Sequence, residues 1–309
     1  MRFLQDTKNF EELKQFFIPA IYHRVIDGRK KMYQLSVSID GKEQVIKKST
    51  KTFVHAGFNK VITGAVMRMR KLFTPETLNL EVVIYKKPSY NSLELSFELV
   101  NKNTFRIGDE EYFASIMAEY SYVKMEVVKY YPIIYRQTCL NGQVAIMAKN
   151  FIEVVSADKI FNIGCEWTRC NFESYQRKLA SYYEILKRAD LSNQRENENF
   201  QENALLKLQK VLKVNLQTNE RFENLDVSPT RDARNSIGRN IEELGRTQFA
   251  VWNAITDFAS RQNDITVRNE MFMNAGKYLS NEMEKALDKN QQLWSENLYW
   301  EEVNRMAKG

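Results

Sequence analysis

Residues 130–155, YYPIIYRQTCLNGQVAIMAKNFIEVV, decide the fold. Two extended apolar runs, YYPIIYRQTCL and QVAIMAKNFIEVV, flank Asn141-Gly142. An Asn-Gly pair between such runs is the strongest short-range signal for a two-residue type I′ hairpin turn, because both central residues take positive φ. Pairing outward from the turn sets Cys139 opposite Val144, Arg136 opposite Met147 and Tyr135 opposite Ala148. One face then collects Ile133, Tyr135, Cys139, Val144, Ile146 and Ala148. That is a core face, and Cys139 is expected there as a buried, inert small hydrophobe. The other face collects Arg136, Thr138, Gln143 and Lys149 beside Ile134, Leu140, Ala145 and Met147. It reads either as a cationic strip or as a face that a helix covers.

Outward from this hairpin, the first 165 residues mix strand and helix signals. MYQLSVSI, after Lys31, alternates apolar and polar side chains; Asp40-Gly41 supplies a turn, and VIKKSTKTF resumes extended character, which predicts a second hairpin. HAGFNKVITGAVMRMRKLF places Phe58, Val61, Ile62, Ala65, Val66, Met69 and Phe73 at helical spacing, with Lys60, Arg68 and Lys71 largely on the other side. That predicts an amphipathic helix with a basic outer face. LNLEVVIY and SLELSFELV read as strands separated by KKPSYN, where Pro88 interrupts a ladder. GDEEYFASIMAEYSY reads as a helix, opened by three acids in its first turn.

Beyond about Cys165, β-branched runs thin out. FESYQRKLASYYEILKRADLSNQRENENFQENALLKLQKVLKV reads as one or two helices with a polar middle. A further helix starts with Ser228 as N-cap and Pro229 at its first position and stops at Gly245. TQFAVWNAITDFASR, NEMFMNAGKYLSNEMEKALD and QQLWSENLYWEEVNRM continue the helical pattern to the end. The fold class is therefore α+β: an antiparallel β-sheet with packed helices over residues 1–165, followed by a mainly helical domain over residues 166–309.

Composition narrows the chemistry. The chain has 309 residues and a net charge of +6. Residues 1–90 hold 17 Lys and Arg against 8 Asp and Glu, a net +9, which leaves −3 for the remainder. A positive field concentrated in that way attracts polyanions, nucleic acid first among them. Three cysteines, Cys139, Cys165 and Cys170, and two histidines, His23 and His55, form no ligand-spaced cluster. No GxxxxGK[ST] loop, GxGxxG fingerprint, HExxH helix or GxSxG elbow occurs. No catalytic residue, metal or cofactor is assigned, and a metal-dependent nuclease is the enzymatic alternative. No window reaches eighteen uncharged apolar residues, so the expectation is a soluble cytoplasmic protein without a membrane partner. Tyr112, Tyr120, Tyr122, Tyr130, Tyr131 and Tyr135 interleave with Lys124, Lys129 and Arg136, a pattern that serves base stacking and phosphate neutralisation or simply half-buried strands.

Two segments carry a resemblance. RQTCLNG, with Arg136, Cys139, Asn141 and Gly142, resembles the Cys-x-Asn-Gly signature of the phage/plasmid-like protein family, a family of unknown function. TQFAVWNAITDFAS is similar to that family's C-terminal Thr-x-x-x-x-Trp-Asn-Ala-x-Thr helix, at Thr247, Trp252, Asn253, Ala254 and Thr256. With GDEEYFASIMAEYSYVKMEV, the similarity spans about residues 80 to 260. The resemblance implies a phage, plasmid or prophage origin, a bacterial host cytoplasm, and a distant similarity to phage single-strand annealing proteins such as lambda Red beta.

The residues and the resemblance together lead to the expectation of an ATP-independent single-stranded DNA binding or annealing protein that acts in recombination and assembles into rings or filaments. Arg68, Arg70, Lys71, Lys86, Lys87, Arg136 and Lys149 are the expected phosphate contacts, with Tyr90 and Tyr135 as stacking residues. The alternative is a phage-encoded interaction protein that inhibits a host defence complex, using the helices over 172–216 and the aromatic residues Trp294, Tyr299 and Trp300 as anchors.

Overall fold

A computed structural model describes residues 7–8, 20–39, 41–49, 58–86, 94–121, 127–137, 142–145, 153–188, 200–216 and 229–306. The N-terminal half is strand-rich and the C-terminal half mainly helical, an α+β fold. Its strands are β1 (Thr7–Lys8), β2 (Ala20–Asp27), β3 (Lys30–Ile39), β4 (Lys42–Ser49), β5 (Leu80–Lys86), β6 (Glu94–Ile107), β7 (Glu110–Ser121), β8 (Val127–Arg136), β9 (Gly142–Val144) and β10 (Glu153–Ser156). Its helices are α1 (Phe58–Leu72), α2 (Arg169–Arg188), α3 (Phe200–Leu212), α4 (Pro229–Leu244), α5 (Gln248–Ser260) and α6 (Ile265–Met306). The chain forms two compact units. One comprises Met1–Phe105, Glu111–Leu140 and Met147–Glu173; the other comprises Arg106–Glu110, Asn141–Ile146 and Ser174–Gly309.

The first unit contains two sheets. The larger runs in the order β1-β5-β6-β7-β8-β10, with antiparallel pairing at β1·β5, β5·β6, β7·β8 and β8·β10. The smaller is the antiparallel β2-β3-β4 sheet. The hairpin expected over residues 32–53 is present as far as Ser49, with Ile39 opposite Lys42 across the turn; residues 50–53 lie outside the described residues. LEVVIY and ELSFELV are strands as expected, and β6 continues to Ile107.

GDEEYFASIMAEYSY is a strand and not the helix its acid-rich start suggested. Gly108 takes φ +61. Positive φ at the first residue of a two-residue loop favours a tight hairpin turn, so the chain reverses at Gly108-Asp109 and β7 returns beside β6. In β7, Tyr112, Ala114, Ile116, Ala118 and Tyr120 fill one face and are all buried. Ser115 and Met117, on the opposite face, are buried too. Burial on both faces erases the polar–apolar alternation that identifies a half-exposed strand.

Helix α1 forms over the predicted segment and turns Val61, Ala65, Met69 and Leu72 inward. It lies over the even-numbered face of β8. The Tyr130 hydroxyl donates to the Val61 carbonyl at 2.8 Å. Gly64 is the point of closest approach: a Cβ there would meet Ile160 Cγ2 and the Tyr130 hydroxyl at 2.6 Å each. Beside it, Phe73, Phe105, Tyr112 and Phe172 form a continuous ring cluster, with centroids 5.3–6.3 Å apart.

In the second unit α5 is the central helix, buried from Phe249 to Ser260. It packs on α4 and α6, while α3 contacts α4, α5 and α6. Pro229 opens α4, as the sequence implied, and α4 ends at Leu244 before Gly245, whose N–H bonds the Ile241 carbonyl at 2.9 Å. The proposed cap Ser228 lies outside the described residues. Thr247 caps α5, its Oγ1 accepting from the Ala250 N–H at 3.1 Å. Thr247→Ala is therefore expected to lower stability by about 1 kcal/mol. Equilibrium urea denaturation, with an unchanged slope and a lower midpoint, is the measurement that checks it.

Candidate nucleic-acid interface

The sequence-derived candidates divide by burial. Arg68 sits on the inner face of α1 with 0% exposure and cannot reach a phosphate. Its Nε donates to Glu153 Oε2 at 2.7 Å, and its Nη1 donates to the carbonyls of Gly64 at 2.9 Å and Ile160 at 3.0 Å. The guanidinium lies over the Tyr130 ring at 4.0 Å from the centroid. Burial pushes the Tyr130 hydroxyl pKa far above its ordinary value; the Arg68 charge works against that shift and the Glu153 charge adds to it. Arg68 is the ionic anchor of α1, not part of a basic outer face.

Arg136 is a second correction. It is 4% exposed, opposite Tyr112 in the β7·β8 register and on the same face of β8 as Tyr130. Buried there, Arg136 is not part of an exposed cationic strip. Tyr135 is equally unavailable for base stacking. It is buried, stacks on Phe113 with centroids 5.0 Å apart, and donates its hydroxyl to the buried Glu98, which also accepts from Tyr85 at 2.6 Å. Tyr112, Tyr120, Tyr130 and Tyr131 are core as well. The described tyrosines of this region are consumed in packing.

Arg70 and Lys71 are exposed in the last turn of α1, where cations also complement the helix dipole. Lys86 ends β5 opposite Ser96; its side chain lies outside the described set. Lys87, Tyr90, Cys139 and Lys149, and with them the expected Arg136–Met147 pairing, lie outside the described residues. Trp294, Tyr299 and Trp300 belong to α6, with side chains outside that set. Cys165 and Cys170 are exposed free thiols.

The cations that do face solvent together are ones the sequence reading passed over. Residues 20–49 contain seven Lys and Arg against three Asp and Glu, a net +4. In the β2-β3-β4 sheet, Arg24, Arg29, Lys30, Lys31, Lys42 and Lys48 are all exposed. Ile26 is 77% exposed beside them. In the sequence the signal is the RKK run at 29–31 and the KK pair at 47–48.

The two motif-bearing segments meet in the helical unit. The Gly142 N–H donates to Ser260 Oγ at 3.0 Å, and β9 packs on α5 and α6. Trp252, Asn253, Ala254 and Thr256 are buried. Asn253 Nδ2 donates to the Phe249 carbonyl at 2.9 Å, and Ser260 Oγ donates to the Thr256 carbonyl at 2.8 Å. These residues position backbone and helix; none opens toward a ligand.

No helix among the described residues is long and apolar enough to cross a membrane. Comparison with protein-family models, with curated proteins and with solved structures finds no match.

Proposed function

We propose that the protein binds single-stranded DNA and promotes the pairing of complementary strands without ATP, in recombination of the phage or plasmid type. The observation that carries this reading is the β2-β3-β4 sheet, which carries six exposed cations over its faces and turn together with an exposed isoleucine. Phosphates supply the complementary charge, and apolar contact suits unstacked bases. The recombination context draws on the resemblance of RQTCLNG and TQFAVWNAITDFAS to the phage/plasmid-like family. Independence from ATP accords with a sequence that lacks a phosphate-loop motif.

The test is fluorescence anisotropy of a labelled oligothymidine across a salt series. If three of the cations meet phosphates, log K falls against log[salt] with a slope of about −2. A parallel assay follows the quenching of two complementary labelled strands, which the protein should accelerate without nucleotide. Failure to bind any single strand at low salt overturns the proposal.

A further inference from the structure

The inference drawn here rests on the single-strand reading and assigns it a surface. Antiparallel partners in register share a face, and residues two apart along a strand share it too. Arg24 pairs with Tyr33, Ile26 with Lys31, and Ile39 with Lys42. Arg24, Ile26, Lys31, Tyr33 and Lys42 therefore stand on one face of the β2-β3-β4 sheet. Lys30 and Lys48 stand on the other, since Lys30 pairs with Asp27 and Lys48 with Gln34.

The two faces differ in exposure. On the second face Ser36 is 0% exposed and accepts from Gln34 Nε2 at 3.1 Å, Val25 and Met32 are half-buried, and Val45 opposite Ser36 is 46% exposed. On the first face Arg24, Ile26 and Lys31 are exposed beside a half-buried Tyr33, and Lys42 is exposed farther along, opposite Ile39. The β2–β3 turn keeps this end tight, because Gly28 at φ +61 occupies the first position of a two-residue loop.

We infer that this first face seats single-stranded DNA, with a base against the Tyr33 ring, Ile26 as the apolar edge of that platform, Arg24 and Lys31 on flanking phosphates, and Lys42 on a phosphate farther along the strand. Charge selects the occupant. An apolar partner would leave three cations desolvated, and an acidic protein helix would have no use for a ring framed by cations at strand spacing. A strand of phosphates with exposed bases satisfies both.

The experiment compares two variants of equal charge change in the full-length protein. Arg24→Ala/Lys31→Ala removes two contacts on the proposed face, and Lys30→Ala/Lys48→Ala removes two cations from the opposite face. The first should make the salt slope shallower by about 1.4 for oligothymidine, and the second should leave it near the wild-type value. Tyr33→Leu should weaken binding about 5- to 100-fold at fixed salt, with Tyr33→Phe close to wild type. Should Tyr33→Leu lower the thermal melt, the comparison at the four exposed cations decides alone. Equal losses in the two double variants overturn the face assignment while leaving strand binding in place. Absence of binding by the wild-type protein overturns both.

Discussion

Glu153→Gln is expected to lower the unfolding free energy by about 3–5 kcal/mol, the usual cost of removing one partner from a buried ion pair. Arg68 has a side chain with 0% exposure and Glu153 one with 16%. Water therefore cannot replace the lost charge at the arginine. The carbonyls of Gly64 and Ile160 and the Tyr130 ring continue to hold the guanidinium, but none is a counter-ion. Glu153 also accepts from the Gly164 N–H at 3.1 Å through its second oxygen, so the loop before α2 loosens with the helix. The companion variant Arg68→Met/Glu153→Leu should recover most of the loss, since apolar replacement of both partners removes the desolvation cost. Urea denaturation of the three proteins measures this. A Glu153→Gln loss below about 1 kcal/mol would show that the pair does not anchor α1.

Asp257→Ala is expected to cost about 2–4 kcal/mol in the helical unit. Asp257 is a buried carboxylate on the central helix. Its Oδ2 accepts from Ser236 Oγ at 2.7 Å and Arg239 Nη2 at 2.8 Å, and its Oδ1 accepts from Arg261 Nε at 2.8 Å. Ser236 and Arg239 hold α4 to α5 through this side chain while Arg261 closes the end of α5, and hydrogen bonds to charged groups are worth about 1.5–3 kcal/mol each. The arginines are 47% and 55% exposed, so water takes over their hydration when the carboxylate goes. For the same reason Arg239→Ala and Arg261→Ala should each cost less, about 1 kcal/mol or below. A double-mutant cycle between positions 239 and 257 separates the pairwise energy from the loss of the cap on Ser236. If both arginine variants cost as much as Asp257→Ala, the carboxylate is not the hub.

Much of the fold was legible, and the misses have physical causes. Hairpins at 32–49, the strands at 80–86 and 94–100, and the helices from Pro229 onward follow from period, turn chemistry and caps. The strand β7 was misread because both its faces are buried and because Asp109, Glu110 and Glu111 imitate a helix start. Arg68 was legible in retrospect. Val61, Gly64, Ala65, Arg68, Met69 and Leu72 fall at the 3-1-3-1-3 spacing of a single inward stripe, so the spacing outranked the charge. A charged residue is usually exposed, but one paired on a distant strand is invisible to local pattern, because Glu153 is 85 positions away. The same long-range logic hid the fate of Arg136, which lies opposite Tyr112 of β7, and of Tyr135, whose hydroxyl is taken by the Glu98 side chain. The open sheet face could have been read from register alone: Arg24, Ile26, Lys31 and Tyr33 alternate with their neighbours at period two on either side of Gly28-Arg29.

The contact between Gly142 and Ser260 also bears on the birth of the chain. The two residues are 118 positions apart. At ribosomal speeds of roughly 5–20 residues per second, Gly142 is made about 6–24 s before its partner exists. Residues 106–110 and 141–146, which belong to the helical unit, are likewise completed long before α5 and α6. The nascent polypeptide must hold these short pieces in waiting while the helices are still being translated. Completion of the helical unit is thus timed by synthesis of its last helices, and a chain stalled before Ser260 would present β9 without the hydroxyl that receives it.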